Sequence, residues 1–471
     1  MNWLQFRTFQ KNHPIYFRIV LSVLIGLVLE ISIAALPLPT LKFVRQSADH
    51  TTDLMTRFAV FTRSEPASGP HFAFVDIDQK SWLAWAAPLV VPRNKIQSLL
   101  SRVAESKPAM IILDVDLSFR DVTSSEEILQ SYLETYPSSA PPLILVRALQ
   151  PSQHSKYPEP RDTQYDKIVS KTLVDGLPAH PNIFWAVPSF ERADDGIVRR
   201  WQLAVVECDA AAPRAILSLQ LQAVWLWLGM DMDKLATFLS PLRPGNCNDI
   251  APTNSSAVQL GDVHAPIIRI NSGDTSSRII YNIAWRPESV VLGPIMRDGD
   301  SKVVLRSADA VSRIPIGDGV NGTEGAIVVI GGSFSESGDW FQTPLGRMPG
   351  ALVLINAIDE LARHGTPADL TFGQRLALSL SFILFVSICV GWFRSLVAAF
   401  LSLMGFGVFM FATLAMFKSG IIADLAIPSI GILIVDLIFS SLRIIRGFRK
   451  KGWRWILKSS QTINPDIEER I

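Results

Sequence analysis

The chain has 471 residues, of which 48% are hydrophobic and 18% charged, and its formal net charge is +1. That charge says nothing of nucleic acid, because the basic residues are not spread as a binding face, and no nucleic-acid partner is expected. Three cysteines are too few for a disulfide scaffold.

In chain order, a short basic segment, 1–18, precedes a membrane-length apolar stretch at 19–36. A hydrocarbon core of roughly 30 Å needs about 20 apolar residues in a helix. A cleaved signal peptide is the competing reading, but Ala34-Ala35-Leu36-Pro37 offers no clear small-x-small site. The segment 37–371 has globular composition, and a helix is expected over Leu41–Phe61. Three further spans are expected at 372–393, 396–417 and 421–442, followed by the basic tail 443–471.

Loop charges orient these four spans. Arg7, Lys11 and Arg18 precede the first, Arg394 joins the second and third, and the tail carries Arg443, Arg446, Arg449, Lys450, Lys451, Arg454 and Lys458. Lys and Arg in short loops stay cytoplasmic. Both termini are therefore expected in the cytoplasm and 37–371 outside it, with Lys418 the exception. Glu30 and Asp436 lie near span ends, where charge is costly unless it faces protein or the interface. The tail interleaves Phe448, Trp453 and Trp455 with its bases, which suits an anionic inner leaflet.

Within 37–371, short apolar runs alternate with helical spacing. His71–Ile77 and Ala109–Leu113 read as strands, with a helix from Arg93 to Ser106 between them. Strand, helix and strand imply parallel pairing of the two strands. Pro142–Val146, Ile183–Val187, Ile279–Ile283 and Ala326–Ile330 read as further strands, and Pro213–Met230 and Pro349–Arg363 as helices. The fold class is an α/β extracytoplasmic domain, a mostly parallel sheet with flanking helices, plus four transmembrane helices, one N-terminal and three C-terminal.

Candidate binding residues gather at strand ends. Asp76 and Asp78 close the first strand, and Asp114 and Asp116 the second, where parallel sheets bind ligands. Their repulsion requires a cation, an arginine such as Arg93, or raised pKa values. The alternative is that each caps a turn or pairs locally. Asp194-Asp195-Gly196 followed by Ile197-Val198-Arg199 reads as a β-hairpin turn. Gly331-Gly332-Ser333 and Asp339 follow an apolar strand, without the glycine spacing or lysine of a nucleotide loop. No catalytic constellation is present, and no cofactor is implied. Cys208 and Cys247 either pair, as an oxidising compartment permits, or remain free thiols.

These motifs resemble the CHASE type 2 (CHASE2) sensory domain family. The resemblance rests on Asp76-x-Asp78 with Ser81, Pro92-Arg93, Ile112-Leu113-Asp114-Val115-Asp116, and Asp195-Gly196-Ile197-Val198-Arg199-Arg200. It continues with Ile327–Gly331, Asp339, Thr343-Pro344-Leu345-Gly346 and Pro349-Gly350. It implies an extracytoplasmic sensor of a small molecule, ion or protein, and supplies no catalytic residues. Relatives often continue into a cyclase or kinase domain, for which 443–471 is too short. The expectation is a non-enzymatic inner-membrane sensor that passes its signal to a separate cytoplasmic or membrane partner, with homo-oligomerisation left open. An envelope assembly component and a metal-dependent periplasmic hydrolase are the alternatives.

Overall fold

A computed structural model describes residues 14–35, 42–62, 69–117, 125–147, 149–150, 164–165, 167–168, 180–208, 213–230, 256–259, 266–270, 276–285, 303–392 and 395–422. They fall into two compact units, Thr56–Pro367 and the combination of Met1–Met55 with Ala368–Ile471.

The first unit is built on a six-stranded, wholly parallel sheet. In chain order its parts begin with β1 (Phe72–Ile77), α1 (Gln79–Ala84), α2 (Arg93–Glu105), β2 (Met110–Asp114), α3 (Glu126–Glu134), β3 (Leu143–Val146) and β4 (Ile183–Ala186). Then follow α4 (Leu219–Trp227), β5 (Val303–Ser307), α5 (Ala308–Ser312), β6 (Ile327–Gly332) and α6 (Gly350–His364). The strand order is β5-β1-β6-β2-β3-β4.

Burial on both faces explains why the strands read as continuous apolar runs rather than alternations. Phe72, Phe74, Met110, Ile112, Ile327 and Val329 pack under α4 and α6 on one face. Ala73, Val75, Ile111, Leu113, Val328 and Ile330 pack under α2, α3 and α5 on the other. α2 follows the predicted spacing, with Ile96, Leu99, Leu100 and Val103 buried and Pro92 at its N-cap. Each such side chain contributes roughly 1.5–3 kcal/mol through its burial.

Three expectations are corrected. The helix read over Pro213–Met230 is a strand, Pro213–Leu217, followed by α4, whose N-cap Ser218 accepts a hydrogen bond from the Leu221 amide at 3.4 Å. Ile279–Ile283 is buried core with no assigned strand, although the Ile279 amide donates to the Arg199 carbonyl at 2.8 Å. The Asn282 and Ile283 amides donate instead to Asn356 Oδ1 on α6, at 2.8 and 2.9 Å. The strands bearing Asp76 and Asp114 are not neighbours, because β6 lies between them. An inserted strand wins over sequential pairing because its Ile327–Ile330 run is buried on both faces.

In the second unit, the helices Pro14–Ala35, Phe372–Trp392 and Ser395–Lys418 cover three of the expected spans. Two windows, Phe372–Cys389 and Phe400–Lys418, are long and apolar enough to cross a membrane, whereas the apolar window in the first helix is the shorter Ile19–Val28. Gly26 permits close approach of the first helix to Ile383, which a Cβ would meet at 2.6 Å. Phe382 and Phe409 stack at 4.4 Å, while Phe400, Val408 and Phe411 stay exposed. Of the fourth expected span only Ile421 and Ile422 are described, and they pair as a strand with Ala368–Asp369 rather than opening a helix. The rest of it, with Asp436 and the basic tail, lies outside the described residues, as do Arg7, Lys11 and Arg394.

Candidate functional site

A cleft of about 790 Å³ lies across the carboxyl ends of five strands. Its lining takes Ile77 at the end of β1, Gly332 at the end of β6, Asp114–Asp116 at and after the end of β2, Val146–Arg147 at and after the end of β3, and Val187–Phe190 after β4. The chain leaves β1 and β2 toward α1, α2 and α3 on one face, and leaves β6 toward α6 on the other. Loops diverging to opposite faces open such a crevice at the strand ends.

Gly331 sits in register between Asp76 and Asp114. Two strand spacings put those carboxylate-bearing positions about 10 Å apart. A Cβ on Gly331 would meet the Ala351 Cβ at 2.7 Å, so the bare backbone lets the first turn of α6 settle onto the sheet. Gly350 is bare for a similar reason, since a Cβ there would collide with the Asp339 carboxylate. The Gly350 amide donates to the Asp339 carbonyl at 2.9 Å. Asp114 and Asp339 thus meet beside the N-terminus of α6, and both line the cleft.

Their environment disfavours charge. Burial pushes the Asp114 carboxyl well above the usual range, and the nearby Asp339 adds to the shift. Burial lifts Asp339 to about 6, partly offset by the Gly350 amide and by Arg192. Among the described residues, no hydrogen bond or ion pair reaches the Asp114 side chain.

The other acids have structural partners. Asp76 is 3% exposed and accepts a hydrogen bond from the Ser333 hydroxyl at 2.7 Å, while burial raises it to about 7. Its second oxygen lacks a hydrogen bond among the described residues. Asp78 caps α1 by accepting from the Ser81 amide at 2.7 Å. Asp116 is exposed on the cleft lining. Arg93 is buried at the start of α2, with its amide donating to the Ser125 hydroxyl at 3.2 Å. Asp195 and Arg199 form a two-pronged pair at 2.9 and 2.7 Å across the expected hairpin turn. Only Asp114, Asp116 and Asp339 of the predicted set line the cleft. Cys208 ends a strand, and Cys247 lies outside the described residues, so the pairing stays open.

Sequence reasoning missed the apolar part of the cleft lining. Trp82 and Phe334 stack at 5.6 Å, and the Trp82 indole donates to the Pro88 carbonyl at 3.1 Å. This bond holds an apolar strap, Ala87–Val91, along the cleft, with Leu89 fully exposed. Ala86 and Ala87 take left-handed backbone, with φ of 69° and 50°, at the turn into it. The run Ala86-Ala87-Pro88-Leu89-Val90-Val91 was the available signal, being apolar yet without strand or helix periodicity. Among the described residues, no three His, Cys, Asp or Glu side chains come together as metal ligands.

The CHASE2 domain model matches residues 23–392. The chain belongs to the CHASE2 family. CHASE2 domains are extracytoplasmic sensory domains rather than catalytic ones, and two apolar helices fit a membrane protein. No curated protein and no solved structure matches the chain.

Proposed function

We propose that this CHASE2 protein is a non-enzymatic, multi-pass sensor of the bacterial inner membrane. Its α/β domain lies on the extracytoplasmic side, both termini are cytoplasmic, and four helices span the bilayer. The signal binds in the cleft and is relayed to a separate cytoplasmic or membrane partner through the helices and the basic tail.

The observation that carries this reading is the cleft itself. It opens at the strand ends of a parallel sheet, where the fold leaves a crevice, and its volume suits a small molecule. Any relayed change requires a ligand with different affinity for two states of the protein. The loop charges support the orientation.

The test is a thermal-shift screen of the full chain in detergent against small metabolites and ions, repeated with Ser189→Trp. Ser189 lines the cleft, so the indole should abolish the shift given by a true ligand. Hits that survive the substitution would reject the cleft as the sensory site. Deleting 443–471 should abolish signalling and leave those thermal shifts intact, and unchanged signalling would remove the tail from the output path.

A further inference from the structure

The chemistry of the cleft narrows its ligand. Among the described residues, the lining sets four carboxylates, Asp114, Asp116, Glu336 and Asp339, against one guanidinium, Arg147. Asp114 is the informative one. It opens onto the cleft from the end of β2, and no donor or cation among the described residues reaches it. A carboxylate enclosed by protein without a partner is costly, and a proton or a cation relieves that cost. Asp339 stands beside it, and the Gly350 amide and the exposed Arg192 offset its burial only in part.

The remaining walls are apolar. Val115, Val146, Val187 and Phe190 line the cleft together with the Trp82–Phe334 stack and the Leu89 strap. A small inorganic cation would leave these walls wet and unused. The absence of a three-ligand metal grouping among the described residues agrees with that. A carboxylate pair in a cleft with so much apolar lining fits a cation carrying a hydrocarbon body.

We propose that the cleft binds an organic cation, an ammonium group on an apolar body, with Asp114 and Asp339 accepting its N–H donors and the strap covering its hydrocarbon. This rests on the cleft being the sensory site. Because Asp339 titrates near 6, affinity rises as pH increases from 5 to 7.5. At pH 5 the proton already holds the place of the cation.

Three probes of equal size separate the contributions: cyclohexylmethylamine, cyclohexylmethanol and cyclohexanecarboxylate. They are titrated calorimetrically into the full chain in lipid nanodiscs at pH 7.5. The amine should bind at least tenfold more tightly than the alcohol, and the carboxylate should bind most weakly. Asp114→Asn and Asp339→Asn should each weaken the amine at least tenfold and leave the alcohol unchanged. The unliganded melting temperature checks that each variant is folded. Equal binding of amine and alcohol, tightest binding of the carboxylate, or binding of none of the three would overturn the inference. If the alcohol or carboxylate binds and Ser189→Trp removes it, the cleft reading stands without the cation. Amine binding that persists in Ser189→Trp would overturn both.

Discussion

Two aspartate sites in this domain have opposite electrostatic character. At the hairpin turn, Asp195 faces Arg199 four residues on, and the bidentate pair holds its carboxyl below the ordinary value. At the cleft, Asp114 faces Asp339, and burial drives both upward. The residue type is the same at both sites. What differs is the supply of a counter-charge. The turn carries its own, so its chemistry is complete within one hairpin. At the cleft Arg192 offsets Asp339 only in part, and no counter-charge among the described residues reaches Asp114, so a proton or a bound group completes its chemistry.

The comparison can be broken most sharply at Arg199. Its side chain is 3% exposed and that of Asp195 35%. Arg199→Ala should cost about 2–3 kcal/mol of unfolding free energy, below the full cost of a buried pair because Asp195 is screened by water. A loss under 0.5 kcal/mol in chemical denaturation would show that the turn does not need its counter-charge.

Next is Gly331→Ala, which drives a Cβ into Ala351 and displaces the α6 turn. The expected cost is about 1–3 kcal/mol. The same variant should shift the pH at which Asp339 titrates, read by carboxyl resonances, because that turn holds its environment.

Asp76→Asn tests the unsatisfied side of the comparison. Burial lifts its folded pKa to about 7, above the ordinary carboxylate value of 3.8, so the folded state holds the proton longer. The stability this group contributes is therefore full below pH 4 and is lost as pH rises through 7. Asparagine does not ionise, so the variant should gain on the order of 1–2 kcal/mol relative to wild type at pH 8 and nothing at pH 4. A gain that is independent of pH would refute the assignment.

Asp195→Asn should have the smallest effect. Its folded pKa is lowered, so its contribution is present above pH 4 and is lost as pH falls through the folded value. About 0.5–1 kcal/mol should disappear at neutral pH for this part-exposed group, with little difference from wild type at pH 2. Thermal melts at the two pH values measure it.

Local signals made much of the domain legible. α2 was visible in the spacing of Ile96, Leu99, Leu100 and Val103, and the hairpin in Asp195-Gly196, where Gly196 adopts φ of 78°. Non-local pairing was not visible. Nothing in Ile327–Gly332 says that it divides the strands of Asp76 and Asp114, since register depends on partners hundreds of residues away. Ile279–Ile283 looks like a strand because it is apolar, yet Asn356 supplies the acceptor a neighbouring strand would otherwise provide. At the site, the acids were legible as residues but not as a set. Asp339 joins Asp114 through the fold-back between β6 and α6, whereas Asp76 and Asp78 are turned to Ser333 and Ser81.

The position of β6 also sets a constraint on the order of assembly. β1 is flanked by β5 and β6, both drawn from Val303 onward, while β2 pairs with β3 and β3 with β4. As the chain emerges, the later trio can zip together, but β1 waits with both edges bare until some 230 further residues have been made. During that interval Phe72–Ile77, apolar on both faces, is the segment most in need of protection from mispairing. A fragment ending ahead of Val303 would leave it permanently in that condition.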